Sequence, residues 1–253
     1  MIGVRAVSAA FSHPLEAFEG LPSVQVTGML KEKRTVAPCA AYAEKAVAAL
    51  QLEPEGMALA CVSGPTGITA SHFDKAWRQS EHGQLTGEGF GRSRSKHIHP
   101  FTLVRSLQNQ VPAVLSMTFG FTGPCLNALA SATAPALLMP CIDRLLDRCP
   151  AVLLVMASAG GREENRARLA HLVPEPLHLE GAVCLVFTRQ PQLGYFEAVA
   201  VTEPDEGPAS FPQAPPVLRL GLALLESLAL RETQRLIVLN DFAGYRKALH
   251  WRT

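Results

Sequence analysis

Two short runs of apolar residues constrain the fold of this chain more than any other feature. Residues 57–63 read MALACVS and residues 151–157 read AVLLVMA, and neither run contains a charged side chain. A strand alternates its side chains between two faces, so a run without charged positions must be covered on both faces. Helical patterns separate the two runs. The sequence therefore predicts an α/β fold with a largely parallel sheet.

Periodicity predicts the remaining elements. Residues 132–149 are apolar or small on nearly all sides up to Asp143, which favours a central helix that is buried all round. Two strands joined by a turn at Gln190-Pro191 are expected at residues 181–188 and 193–201. The other predicted strands are residues 1–12, 125–130 and 236–240, and the other predicted helices are residues 33–50, 68–81, 100–111, 113–119 and 217–230. Pro112 is expected at the start of a helix.

Composition excludes several functional classes. Lys and Arg total 23 and Asp and Glu total 22, so the chain has no general basic field for binding nucleic acid. Hydrophobic residues make up 48% and charged residues 18%, which indicates a compact globular protein rather than a disordered one. We find no signal-peptide pattern and no apolar run long enough to span a bilayer, so a cytoplasmic protein is expected.

The cysteines and histidines do not predict a metal site or a disulfide framework. None of the six cysteines forms a C-x-x-C pair, and all six lie in apolar stretches, so buried reduced thiols are expected. His97 and His99 could lie on one side of a strand, but no third ligand is evident near them. Residues 82–97 are polar and rich in glycine, which indicates a loop, and they do not form a recognised phosphate-binding motif.

The most informative stretch is residues 99–135, HPFTLVRSLQNQVPAVLSMTFGFTGPCLNALASATAP. This stretch resembles the β-ketoacyl synthase family, which belongs to the thiolase superfamily. The matching residues are Pro100-Phe101, Asn109, Leu115-Ser116, Phe119-Gly120 and Gly123-Pro124. Residues 58–68, 151–160 and 180–189 resemble a strand with a glycine-rich turn and two further strands of the same family.

The chain departs from the family at the catalytic nucleophile. Placing Gly123-Pro124 on the family's pattern puts the nucleophile at Ala132, because Ala130-Ser131-Ala132 stands where the family has threonine-alanine-cysteine. A thiol at the start of a buried helix is favoured as a thiolate by the helix dipole and the free N–H groups. The methyl group of Ala132 cannot accept an acyl chain. Pro135 suits the first turn of that helix, so the scaffold is kept without the nucleophile.

A second departure concerns the carboxyl-terminal part. Ketosynthases have a second half of the same topology that supplies two catalytic histidines, whereas His250 is the only histidine after residue 200 here. We therefore expect an α/β, thiolase-like fold with an amino-terminal half and a truncated carboxyl-terminal part. The expected division is a ketosynthase-like half, residues 1–202, and a short remnant of linker, helix and strand, residues 203–253.

The resemblance includes a non-catalytic branch, the chain-length factors. These subunits lack the active cysteine, form heterodimers with a catalytic β-ketoacyl synthase and shape its acyl tunnel. Short versions belong to aryl polyene biosynthesis, a type II polyketide or fatty-acid-like system that uses an acyl carrier protein. For this chain the resemblance implies a ketosynthase partner, contact with the carrier protein through the complex, no enzymatic activity of its own and no cofactor.

The resemblance also assigns the residues that meet the partner. In the family the dimer forms along the strand that precedes the nucleophile, and the corresponding residues are Cys125, Leu126, Asn127, Ala128 and Leu129. Phe101 and Thr102 stand at the positions that reach toward the partner's tunnel. Thr102 replaces a second aromatic residue found in many relatives, which implies a deeper tunnel.

Two alternatives stay open from the sequence. The chain could be a cryptic acyltransferase or ketosynthase-like enzyme that uses Cys125 or Ser131 as the acyl acceptor. It could also be a homodimeric acyl-binding scaffold that takes no part in condensation. Trp77 could border the tunnel region, although a core aromatic is the simpler interpretation of that residue.

Overall fold

The computed structural model describes residues 2–18, 20–30, 35–68, 98, 100–129, 131–160, 179–199, 214–240 and 245–253. Both strands and helices occur along these residues, as the sequence predicts. The strands are β1 (Ile2–Phe11), β2 (Val24–Val26), β3 (Ala58–Ser63), β4 (Cys125–Leu129), β5 (Val152–Ser158), β6 (Gly181–Thr188), β7 (Gly194–Val199), β8 (Gln234–Asn240) and β9 (Arg246–Arg252). The helices are α1 (Pro38–Ala48), α2 (Pro100–Ser106), α3 (Gln110–Phe119), α4 (Ala134–Leu145) and α5 (Arg219–Ala229), with short 3-10 turns at Glu16–Phe18 and Pro216–Leu218.

The nine strands form one sheet, and eight of them follow the order β4-β3-β5-β6-β1-β7-β9-β8. The ninth, β2, pairs with residues 9–11 of β1, whereas β7 pairs with residues 2–4 of β1. Strand β4 therefore lies at one end of the sheet and β8 at the other. The pairing of β7 with β9 joins strands from both sides of the expected boundary at residue 202. The division into residues 1–202 and 203–253 stays a prediction.

Two apolar layers cover the central strands, one on each face. Alternate residues of β3, such as Leu59 and Cys61, pack with α1 and α3, while Ala60 and Val62 pack with α4 and α5. Strands β5 and β6 alternate in the same way. This two-sided burial explains why β3 and β5 are apolar at every position along their length.

The sheet is mixed, so the prediction of a largely parallel sheet is wrong. Three pairings are parallel and five are antiparallel. An apolar run shows that a strand is covered on both faces, and it does not show in which direction its neighbour runs. The expected hairpin of β6 and β7 is also wrong, because β1 lies between these two strands and pairs with both.

Helix α4 is amphipathic, which corrects the expectation of a helix buried all round. Ala136, Met139 and Ile142 face the core, whereas Leu137 and Cys141 are exposed. The helix looks apolar throughout because alanine, proline and leucine occupy both faces, so periodicity alone does not separate the buried face.

The break between α2 and α3 falls at residues 107–109 rather than at Pro112. Pro112 lies within the first turn of α3, where a missing N–H leaves no helical hydrogen bond unmade. The expected helix at 68–81 with Trp77, the loop at 82–97, His97 and His99 lie outside the described residues, apart from Ile68 in the expected helix.

Candidate functional site

Strand β4 presents an open edge at the end of the sheet. It pairs with β3 in parallel, with Leu59 opposite Cys125 and Cys61 opposite Asn127, and within the described residues no strand pairs with its other edge. Leu126 and Ala128 pack toward the core, while Cys125 and Asn127 are exposed. An unpaired edge carries free N–H and C=O groups and is ready to pair with a strand of another chain.

The segment after β4 leads directly into the start of α4. Ala132 is fully buried there, at the position where the resemblance places the nucleophile. The Ala134 N–H donates to the Ser131 Oγ at 3.0 Å, and the Ser131 and Thr133 hydroxyls lie 3.1 Å apart. Ser131 therefore caps the first turn of α4, a role in which serine is strongly preferred.

Four of the six cysteines are buried as expected, and the expectation is wrong for Cys125 and Cys141, which are exposed. Partial burial raises the pKa of the Cys125 thiol. Full burial raises the pKa of Cys39 to about 12 and raises the pKa of Cys61 well above its ordinary value. Because a thiolate is the reactive form, each of these shifts makes the thiol a weaker nucleophile near neutral pH.

The buried thiols predict a loss of stability in alkali. In the unfolded chain a thiol has a pKa near 9.0, whereas burial keeps Cys39 protonated to about pH 12. Above pH 9 the folded state binds more protons, so we expect the free energy of unfolding to fall by about 1.4 kcal/mol per pH unit for each such thiol. Urea denaturation between pH 8 and 11 measures this slope. Cys39→Ala should make the dependence of stability on pH less steep. Cys141→Ala, the same change at an exposed thiol, should leave the slope unchanged. Equal slopes in the two variants would contradict the role of the buried Cys39 thiol.

The two described histidines lie on or next to strands that are not neighbours of β4. His13 follows β1 and His250 is on β9, four and six positions along the sheet from β4. Helix α4 contacts both β1 and β9. Among the residues that the structure describes, no group of three or more His, Cys, Asp or Glu side chains could hold a metal ion.

Helices α2 and α3 present apolar side chains at the surface. Phe101 is 42% exposed, and Val104 and Leu107 follow it at helical spacing with similar exposure. Met117 on α3 is 79% exposed. Helix α3 packs against α1 and β3, so it lies at the same end of the sheet as β4. We call Phe101, Val104, Leu107, Met117 and β4 the edge surface. Exposed apolar side chains that form a patch mark interaction sites, and these residues are candidates for one.

Phe101 and Thr102 are neighbours with opposite surroundings. Thr102 is 2% exposed, so its side chain is enclosed by its own chain, whereas Phe101 is partly exposed to solvent. Sequence reasoning treats the two positions as equivalent, because it does not show which of two adjacent helical residues faces outward.

The carboxyl ends of β3 and β5 are covered by a residue from the carboxyl-terminal part, which sequence reasoning missed. A Cβ placed on Gly64 would lie 2.9 Å from the Ser158 Oγ and 3.1 Å from a Val217 methyl group. The neighbouring Ser63 hydroxyl is buried and has no hydrogen-bond partner among the residues that the structure describes. Val217 therefore packs directly over these strand ends. No motif spacing signals that contact, since the two residues are more than 150 positions apart.

Gly123-Pro124 fixes the start of β4 against β3. The Leu59 N–H donates to the Pro124 carbonyl at 2.9 Å, and a Cβ on Gly123 would lie 2.3 Å from the Met57 carbonyl oxygen. The backbones approach so closely here that only glycine fits. This contact explains why the Gly-Pro pair precedes the edge strand.

Comparison with known proteins identifies the fold. No family model matches the chain, and no curated protein matches it. A ketosynthase in complex with its chain length factor from Xenorhabdus doucetiae aligns with a TM-score of 0.59 and 12% identity, over 100% of this chain and 99% of the other. A type II polyketide synthase acyl-carrier protein in complex with its ketosynthase, bound to the hexaketide, aligns with a TM-score of 0.62 and 12% identity, over 99% and 98%.

A third structure, the 3-oxoacyl-[acyl-carrier-protein] synthase III of Aquifex aeolicus VF5, aligns with a TM-score of 0.50 and 8% identity over the full length of both chains. No described helix is both long and apolar enough to cross a membrane.

Identities this low establish the fold alone. From these structural matches, the chain has the thiolase-like fold of the ketosynthases.

Proposed function

We propose that this chain is a non-catalytic, ketosynthase-like chain-length factor. In this proposal it forms a heterodimer with a catalytic β-ketoacyl synthase in the cytoplasm and shapes the acyl tunnel of that enzyme in type II polyketide or aryl polyene biosynthesis. An acyl carrier protein reaches it through the complex. The chain itself uses no cofactor.

One observation carries the proposal. A ketosynthase-like fold leads from an edge strand into the amphipathic helix α4, and the residue two positions before that helix is the fully buried Ala132. The chain keeps the arrangement that presents a nucleophile but has no reactive atom at that place. Such a scaffold suits a subunit that completes a dimer rather than one that carries an acyl chain.

The edge surface supports a partner at this end of the sheet. It combines an edge of β4 that no described strand pairs with and exposed apolar side chains on α2 and α3. Obligate partners bury surfaces that are more apolar than the rest of the protein, and a strand edge adds backbone hydrogen bonds. Two-fold pairing along β4 would place Phe101 of this chain near the partner's site.

The geometry weighs against a cryptic enzyme. The raised pKa of Cys125 keeps its thiol protonated near neutral pH, and the Ser131 oxygen already accepts the Ala134 N–H. General-base activation would need a base within hydrogen-bond reach, and both described histidines are several strands away from β4, which carries Cys125.

Acyl transfer to the purified pair tests the proposal. We would coexpress this chain with a ketosynthase that has cysteine at the position of Ala132, add acyl-carrier-protein thioester and measure the intact mass of each subunit. The expected result is an acyl adduct on the ketosynthase and none on this chain. A stable adduct on this chain, lost in Cys125→Ala or Ser131→Ala, would establish the enzyme instead.

Phe101 is expected to limit product length. In the complex, Phe101→Ala removes an exposed aromatic ring that would otherwise narrow the partner's tunnel, so the main product should lengthen by at least one two-carbon unit. Val104→Ala, a similarly exposed position on the same helix, is the matched control and should leave product length unchanged. Mass spectrometry of the products decides between them. An unchanged distribution in Phe101→Ala would contradict this role.

A further inference from the structure

An apolar groove lies between α4 and the carboxyl-terminal strands, away from the edge surface. Its volume is about 370 Å³. One wall is formed by α4, with Ala136, Leu137 and Pro140, and the other is formed by β7 and β9. Ile2 of strand β1 also lines the groove. The groove therefore combines elements from both ends of the sequence and lies at least four strands from β4.

The lining is aliphatic and partly exposed. Leu137 is 55% exposed and Val199 is 39% exposed, although both lie in a concave surface. Leaving such side chains in water is unfavourable by about 25 cal/mol for each Å² of apolar area. A volume of this size falls within the range of roughly 300 to 1,000 Å³ that small-molecule sites occupy.

Two charged side chains line the groove, and the negative one is already in an ion pair. Asp143 and Lys247 both line the groove. The Arg189 guanidinium holds the Asp143 carboxylate at 2.5 Å, so that negative charge is already balanced. Within the described residues Lys247 has no ion-pair partner, so its ammonium group attracts an anionic head group at the mouth of the groove.

The shape favours an extended chain over a compact ligand. The α4 wall runs from residue 136 to residue 143, which spans about 10 Å at 1.5 Å per residue. Residues 196–199 of β7 give the other wall a similar length of about 10 Å. We propose that this groove binds an aliphatic chain with an anionic head group, as in a medium-chain fatty acid, with the head group at Lys247. The proposal does not depend on the proposed function, because the groove is complete in the single chain.

Calorimetric titration of the full chain with decanoate, below its micelle concentration, tests the proposal. We expect one saturable site with a Kd below about 1 mM. Decylamine has the same tail with a positive head group and should bind at least about tenfold more weakly. Lys247→Glu should reverse that preference, whereas Lys45→Glu, the same change at an exposed position of α1, should preserve it.

Blocking the groove provides the second test. Ala198→Trp places a large side chain in the groove and should abolish decanoate binding, while Ala48→Trp on α1 should not. Unchanged circular dichroism and melting temperature show that the variants fold, and Val199→Glu replaces Ala198→Trp if the tryptophan prevents folding. No saturable binding, equal binding of decylamine and decanoate, or full binding by a folded groove variant would each overturn the proposal.

Discussion

Asn127→Pro is expected to abolish binding to a catalytic ketosynthase while leaving the fold of this chain intact. The Pro124 carbonyl accepts the Leu59 N–H, so residues 124, 126 and 128 turn their backbone groups toward β3. Backbone groups alternate along a strand, so Cys125, Asn127 and Leu129 direct theirs to the open edge. A proline at 127 removes the central N–H of that edge without breaking a bond to β3.

The expected loss is at least about a hundredfold in affinity, or ~2.7 kcal/mol, because a lost hydrogen bond and the bulk of the ring act together. Asn127→Thr keeps the N–H, suits a strand and serves as the matched control. Biolayer interferometry measures binding, and thermal melting checks that both variants fold. If Asn127→Pro binds as tightly as Asn127→Thr in spite of a normal melting curve, the partner does not pair along β4.

Gly123→Ala is expected to cost about 3 kcal/mol or more of folding free energy. The added Cβ would lie 2.3 Å from the Met57 carbonyl oxygen and 2.6 Å from its carbon. Both are backbone atoms at the start of β3, so no change of rotamer relieves the clash. The start of β4 must move away from β3, which disrupts the edge strand as well as the core beneath it.

Gly64→Ala is the matched control, because its Cβ would meet mainly the side chains of Ser158 and Val217. Those side chains can shift by a few tenths of an ångström, so we expect a smaller loss, about 1 kcal/mol. Urea denaturation of the two variants gives the comparison. Equal stabilities would show that the approach of Gly123 to Met57 does not limit the packing of β3 and β4.

The sequence predicts where the central strands lie because their burial leaves a strong pattern. The apolar runs at residues 57–63 and 151–157 correspond to β3 and β5 within one residue at either end. Strand direction and neighbours are not predictable in this way, since a strand covered on both faces has the same composition in a parallel or an antiparallel sheet. The last strand, β9, was also missed, because RKALHWR lies at a partly solvated end of the sheet and has no apolar run.

At the candidate site, the sequence predicts the order of the strand and the helix along the chain better than it predicts the contacts of individual residues. It places a strand at residues 125–130 and a helix that begins at Ala132 in succession, and the structure has a strand and a helix in that order, with the helix beginning at Ala134. It does not predict that Thr102 is enclosed while Phe101 is exposed, or that Val217 covers Gly64. Those facts depend on contacts between distant residues and on helix rotation, for which local periodicity carries no information.

Native mass spectrometry of the coexpressed pair tests the central claim most directly. The sample is this chain purified with a catalytic ketosynthase through a tag on either subunit. The account predicts a complex with one copy of each chain, and it predicts that Asn127→Pro removes this chain from the complex. Separate homodimers of the two proteins, with no mixed species when either tag is used, would contradict the claim that this chain is the non-catalytic half of a ketosynthase heterodimer.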